Sequence, residues 1–533
     1  MPRRCIGHYP IGTLVMTHRA VWLYHKSSLT GASSAPAFAA ALLCIGPATA
    51  LHAPGLLRVL APAAGAADSS VPAPPADSRI KAYNLSVPVD HFHNSSRPGG
   101  PVVVLNSGEF TSEGRFDFLD HGIVPILTKA TGGVGVVLEH RYYGTSYPTE
   151  DVTVENLRFL STEQALADNA YFARHVRFPG LEHVNLTAPG TPWIIYGGSY
   201  AGAVAAFTRK VYPDVYWGAI SSSGVTAAVD VFWQYFEAAR HYAPGDCSPT
   251  QQKLMHVVDS MLLSGDDARA DKVKDFFGLK ELWNDEFAAY LTGGVSGLQS
   301  TNWDPAEDDA SFGKWCATIT SNSLLFESTA FLRPEVEKAV GGAGYKGHEL
   351  KTLTTRMLNY IGFVKDSVKQ TKSSCKGQGL RECVSDRFYT NDTSIAAGEY
   401  RSWLYQTCTE WGYFNSGAAT PKNKLSMISR ALTYEYSTTS CRRLFNITAH
   451  PDVDAVNKYG GFNFSYPRST TEEPFILVDW AVHHWDENGL KDPAQARPGF
   501  PPKQIVDVQA EEVRFVKAWL QEFDKKQKRA FLS

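Results

Sequence analysis

Between residues 80 and 225 the chain alternates short apolar runs with longer stretches whose apolar residues recur at helical spacing. "PVVVLN" (101–106), "VGVVLEH" (134–140), "WIIYG" (193–197) and "WGAISSSG" (217–224) are brief, β-branched or aromatic, and bounded by glycine or polar turns. Such runs predict strands buried on both faces. Among them "STEQALADNAYFARHV" (161–176) predicts a helix, with Ser161 or Thr162 as its cap and Leu166, Ala170 and Ala173 on one face. Strands separated by helices imply a parallel sheet with crossovers, the α/β class.

After residue 225 the rhythm changes. From 226 to 400 the strand-like runs vanish, charges increase, and stretches such as "QQKLMHVVDSMLLSGDDARADKVKDFFG" (251–278) have helical spacing. This tract reads as an inserted helical cap, leaving 79–225 and 401–533 as the two parts of the sheet domain. A strand returns in "PFILVDWAVHHW" (474–485). "AEEVRFVKAWLQEF" (510–523) predicts a closing amphipathic helix with Val513, Val516, Leu520 and Phe523 on one stripe. No internal repeat is visible.

The amino end differs in kind. "APAFAAALLCIGPATA" (35–50) is a short apolar segment closing on Ala48-Thr49-Ala50, a cleavage pattern of small residues, so 1–50 reads as a signal peptide or signal anchor. Residues 51–78 are Ala/Pro-rich and read as a disordered lead-in. Beyond residue 60 no apolar stretch approaches the roughly 20 residues of a helical membrane span. A net charge of −3 gives no sign of a nucleic-acid partner.

Two features agree with export. Six N-x-S/T acceptors, at Asn84, Asn94, Asn185, Asn391, Asn446 and Asn463, are candidate glycan sites. Of the 8 cysteines, Cys5 and Cys44 lie in the leader, and the rest show no C-x-x-C spacing, which favours disulfides in an oxidising compartment. The expected location is the secretory pathway, ending outside the cell or in a vacuole or lysosome. His91 and His93 lack an accompanying ligand cluster, so neither a metal nor a cofactor is expected.

The chemistry centres on "WIIYGGSYAG" (193–202). Gly197 and Gly198 precede Ser199, and Ala201 and Gly202 follow it, between a predicted strand and a predicted helix. That is the context of a nucleophile elbow, where a serine sits on a sharp turn among tiny residues. The pattern is G-x-S-x-A instead of G-x-S-x-G. The residue after the serine, Tyr200, would offer its N–H to an oxyanion.

The chain also carries "GGSYAG", "EHRYYGTSYP" (139–148), "FLSTEQALADNAYF" (159–172), "YQTCTEWGYF" (405–414) and "HHWDENG" (483–489). Through them residues 80 to 525 resemble the prolyl carboxypeptidase and dipeptidyl peptidase II family of serine peptidases, particularly its fungal members. The resemblance implies an α/β-hydrolase fold with a helical cap, peptide substrates, and cleavage after proline or a small residue at acidic pH. It makes Ser199 the nucleophile and His483 the base, with His484 structural. The second oxyanion donor is expected near Gly108, in the loop of Ser107, Gly108 and Glu109. Glu109 and Tyr413 are candidate pocket residues, while Glu139 and Arg141 either form a structural ion pair or touch substrate. It also implies a Cys408–Cys441 bridge, which leaves Cys375–Cys383 and Cys247–Cys316. A homodimer is left open.

The triad's acid is the discordant element. The family carries it after a strand that ends in Asp-Pro-Trp, and this chain has no such motif. Between Cys408 and His483 the only aspartates are Asp452, Asp454 and Asp479. Asp479, if in one strand with His483, would lie about 13 Å from it at roughly 3.3 Å per residue. Glu472 and Glu473 enter that strand from its other end, and Asp452 and Asp454 precede the expected strand. Hence the alternatives are an impaired member of the same family and a carboxylesterase or lipase of the same fold.

Overall fold

The computed structural model describes residues 100–178, 181–460, 471, 474–479 and 481–532, together with the backbone of 20–24. The rest of the leader, the lead-in, His91, His93, Glu472, Glu473, Asn84, Asn94 and Asn463 lie outside the described residues.

The strands, in chain order, are β1 (Ala20–Tyr24), β2 (Val102–Asn106), β3 (Val134–Leu138), β4 (Trp193–Gly198), β5 (Tyr216–Ser222), β6 (Val229–Val231), β7 (Gly412–Phe414) and β8 (Phe475–Leu477). Six of them form one sheet in the order β3-β2-β4-β5-β1-β8, with every pairing parallel. Parallel strands need crossovers, and here these are helices covering both faces, the arrangement of an α/β-hydrolase fold. β6 and β7 form a separate parallel ladder. Three residues are too few for an alternating pattern to register, so β6 escapes a reading of the 226–400 tract.

Alternation along each strand divides the core. Val102, Val104, Trp193 and Ile195 face one side, together with Leu166 and Ala170 of helix α2 (Thr162–His175). Val103, Leu105, Ile194 and Tyr196 face the other, against Ile123, Val124 and Leu127 of helix α1 (Ile123–Thr131). Full burial of each such side chain is worth roughly 1.5–3 kcal/mol over exposure. Ser161 caps α2 by accepting the Gln164 N–H at 3.3 Å. Asn169 of that helix accepts from Asn106 at 3.2 Å and donates to Thr208 at 2.9 Å, while its carbonyl takes the Tyr216 hydroxyl at 2.9 Å. One buried amide thus ties α2 to β2, β5 and helix α3 (Ser199–Val211).

Helices dominate from Glu237 to Gln406, the longest being α4 (Gly347–Ser374), and they share the first core face with the sheet. Among the described residues three disulfides join Cys247–Cys316, Cys375–Cys383 and Cys408–Cys441. The closing helix α5 runs over Lys503–Leu532 and buries Phe515, Val516, Trp519 and Phe523 on the second face. Gly218 is small because Trp519 lies on it: a Cβ there would come 2.6 Å from the indole.

The strand predicted over 474–485 contracts to Phe475–Leu477. Beyond it the chain leaves the sheet, yet Val478, Ala481 and Val482 stay buried. An apolar run therefore continues as a packed loop, and that loop carries His483. Among the described residues no helix is long and apolar enough to cross a membrane.

Candidate active site

Ser199 is the first residue of α3, where β4 ends, and its φ is +61°. A serine in this left-handed region costs of order 1–3 kcal/mol and persists only where surrounding packing imposes it. The small neighbours are that packing. A Cβ on Gly197 would lie 2.1 Å from the Ala201 carbonyl oxygen, and one on Gly202 would lie 2.8 Å from the Gly224 Cα.

His483 Nε2 is 2.8 Å from Ser199 Oγ, across 284 residues of sequence. Burial, then His484, then Arg115 hold the His483 imidazole well below its usual 6.5, so the ring is neutral and able to take a proton. His484 lies beside it with ring centroids 4.0 Å apart and planes tilted by 52°, at a φ of +36°. Its Nδ1 lies 2.7 Å from Glu487 Oε2, and its N–H donates to Ser223 Oγ at 3.1 Å. Burial works against ionisation of Glu487, but His484 holds its carboxyl below 4.5. Gly198 leaves room for this pair, since a Cβ would sit 2.9 Å from the His484 ring.

The Tyr200 N–H belongs to the first turn of α3, which no side chain caps. Such amides are free donors at the positive end of a helix dipole. The Tyr200 side chain is buried, edge-on to Trp403 and Trp411. Its hydroxyl donates to His140 Nε2 at 3.0 Å and accepts from Gln406 at 2.7 Å, while Gln406 accepts from Tyr143 at 2.5 Å. His140 Nδ1 donates to the Arg141 carbonyl, and burial lowers its pKa to about 4, which fits the neutral tautomer this chain needs.

Gly108 adopts φ +66°, and its Cβ position lies 3.0 Å from the Ala201 side chain, so its loop rests against the elbow. Its N–H is committed to Asn106 Oδ1 at 3.0 Å, which makes it a turn amide. Glu109 is half-buried, and burial raises its carboxyl above 4.5 against the pull of Arg115 and His484. Tyr413 sits in the core, its hydroxyl donating to the Ala227 carbonyl at 2.9 Å. Glu139 and Arg141 do not pair with each other. Glu139 accepts from Ser112, Thr145 and Ser146, and Arg141 forks onto Asp168 at 2.5 and 2.6 Å.

No carboxylate among the described residues pairs with His483. Asp452 and Asp454 are exposed, Asp452 accepting the Ala455 N–H at its own helix start. Asp479 is exposed in the loop, outside the strand that the spacing argument assumed.

A different acid governs the histidine loop. Asp486 accepts the Tyr196 hydroxyl and the Ser222 hydroxyl, each at 2.5 Å. The Gln509 amide donates to the Asp486 and Asn488 carbonyls at 2.7 and 2.8 Å, and the Asp486 charge acts on the fully buried Glu512 carboxyl. Burial raises the carboxyls of both Asp486 and Glu512, so the pair holds a proton. β4, β5 and α5 thereby moor the segment that presents His483. The only sequence signal for it is Glu512 itself, an acidic residue in step with the buried stripe of Val508, Phe515 and Trp519.

The described sequon asparagines, Asn185, Asn391 and Asn446, are all exposed. Among the described residues no group of three metal-ligating side chains occurs. The family model of serine carboxypeptidase S28 matches residues 92–281 and 348–497. A probable extracellular serine carboxypeptidase of Arthroderma benhamiae is 42% identical over 496 residues, which cover 83% of this chain and 68% of that protein. Serine protease vicPa of Bipolaris victoriae is 26% identical over 434 residues, covering 73% and 78%. The human thymus-specific serine protease is 27% identical over 346 residues, covering 63% and 61%.

Proposed function

The chain belongs to the serine carboxypeptidase S28 family, and from that premise we propose that it is an exported serine exopeptidase cleaving after proline or a small residue. The observation that carries the reading is the 2.8 Å contact between Ser199 Oγ and His483 Nε2. The hydroxyl attacks the scissile carbonyl while its proton passes to His483 Nε2. The Tyr200 N–H stabilises the oxyanion. The protonated imidazole then donates to the leaving amine, and the C–N bond breaks. Water, deprotonated by the same imidazole, releases the acyl group from Ser199. The lowered pKa of His483 supports work in acid, because the base stays unprotonated there. An extracellular destination is supported by the likeness to the Arthroderma relative, a probable extracellular serine carboxypeptidase.

A second reading, an impaired member of the family, draws on the missing partner of His483. Loss of a triad's acid can cost about 10⁴ in turnover by leaving the histidine tautomer unspecified. Product analysis by mass spectrometry separates the readings, using Pro-Xaa peptides with free carboxyl ends and dipeptidyl amides. Turnover that disappears in Ser199→Ala supports the peptidase. Folded protein without turnover supports the impaired member, and hydrolysis confined to esters supports an esterase.

A further inference from the structure

Two indoles join the helical tract to the loop that carries His483. Trp303 Nε1 donates to the Trp485 carbonyl at 2.9 Å, and Trp485 Nε1 donates back to the Thr301 carbonyl at 2.7 Å. A third bond runs from the Lys491 N–H to Asp304 Oδ2 at 3.0 Å, while Asp304 Oδ1 accepts the Ala306 N–H at 3.0 Å. Lys491 Nζ also reaches Glu307 at 3.1 Å. Trp303 and Asp304 are both buried, so parting the two segments would strand polar groups away from water, which is costly.

The loop that supplies Trp303 is braced from within. The Asn302 N–H donates to Asp308 at 2.8 Å, and the Asp309 N–H to the Ser300 carbonyl at 3.1 Å. Trp303 lies edge-on to Phe500, ring centres 5.5 Å apart, and shares a small core with Val478, Ala481, Ile505 and Val508, against which Trp485 packs. Ala481 and Trp485 bracket His483, two residues to either side. A triad's acid ordinarily orients the histidine ring, and no described carboxylate does so here. The 2.8 Å reach from His483 to Ser199 Oγ therefore depends on how the backbone on both sides is held. A displacement of about 1 Å at such a group can cost about 100-fold in rate.

We propose that Trp303 is a positioning residue for His483, the helical tract setting the base through the paired indoles in place of an orienting acid. This rests on the peptidase reading of Ser199 and His483. Trp303→Phe in the full chain removes one N–H donor and keeps a ring against Phe500. Fluorophosphonate labelling of Ser199 should slow about 10-fold, and on a cleaved peptide kcat should fall likewise with KM within about twofold. Trp485→Phe removes the reciprocal donor, should behave alike, and decides the matter if the first variant does not fold. Val340→Ala opens a cavity in the core that the helical tract shares with the sheet, so it should lower the melting temperature yet label at the wild-type rate. Wild-type labelling in either folded tryptophan variant, or an equal slowing in Val340→Ala, overturns the proposal. Hydrogen exchange of the wild type needs no variant: the protected amides of 301–309 and 484–491 should open together, and opening of the first segment well ahead of the second overturns it too. A wild type whose segments open together but whose Ser199 does not label overturns the peptidase reading instead.

Discussion

Glu512→Gln should remove a pH dependence from folding stability. Glu512 is fully buried, its carboxyl pushed well above 4.5 by burial and then by Asp486. Asp486 is raised as well, and it already accepts hydroxyl hydrogens from Tyr196 and Ser222. The folded pair therefore keeps a proton that the unfolded chain releases near 4.5. The stabilisation is complete below that value and is lost as pH rises through the folded pKa. For one proton the slope is at most about 1.4 kcal/mol per pH unit. Glutamine has the same shape and can donate its amide to Asp486, but it does not titrate. The variant's stability minus that of wild type should thus climb as pH rises above about 4.5, at a slope no steeper than that. Buried His140 and His483 carry the opposite slope, but both proteins contain them and they cancel in the difference. Urea midpoints at several pH values, with matching m-values, measure the effect. Parallel curves for the two proteins would refute the shared proton.

Other consequences follow from the same geometry. Tyr200→Phe leaves His140 Nε2 and the Gln406 amide without their 3.0 and 2.7 Å partner, so thermal melts should show a loss of about 2–4 kcal/mol; a change below about 0.5 would contradict the network. The acid limb of kcat/KM should lie below the 6.5 of an ordinary histidine, since burial, His484 and Arg115 depress His483; a midpoint at or above that value would count against His483 as the base. Gly197→Ala forces a Cβ to 2.1 Å from the Ala201 carbonyl, which backbone cannot relieve cheaply. That variant should lose at least about 3 kcal/mol of stability by chemical denaturation, and a wild-type midpoint would show the elbow to be looser than described.

The parts of the molecule that reading the chain recovers are those governed by local periodicity or local sterics. Buried strands announce themselves as apolar runs, and the bend at Ser199 by small residues on both sides. A cap at Ser161 or Thr162 was legible because capping depends on nearest neighbours, and Ser161 takes the role. The mooring of the histidine loop was not, because Tyr196, Ser222, Asp486 and Glu512 come from four segments and meet only in the tertiary structure. Nor was the task of Glu139, whose motif is conspicuous while its partners are ordinary serines and threonines. Gly108 and Tyr413 teach the same lesson from the other side. The resemblance makes both candidates for the site, but Gly108 spends its N–H in a turn and Tyr413 its hydroxyl in the core. Hydrogen-bond commitments of that kind leave no trace in a linear pattern.

The central claim is that the Ser199 hydroxyl is activated by His483 although no described carboxylate supports the ring. The rate of covalent labelling by a fluorophosphonate, with the modified peptide identified by mass spectrometry, tests it most directly. Labelling is expected on Ser199 in wild type, absent in Ser199→Ala, and slowed at least about 100-fold in His483→Gln. A wild-type protein that is folded but inert to the probe, or a His483→Gln variant that labels as fast as wild type, would contradict it.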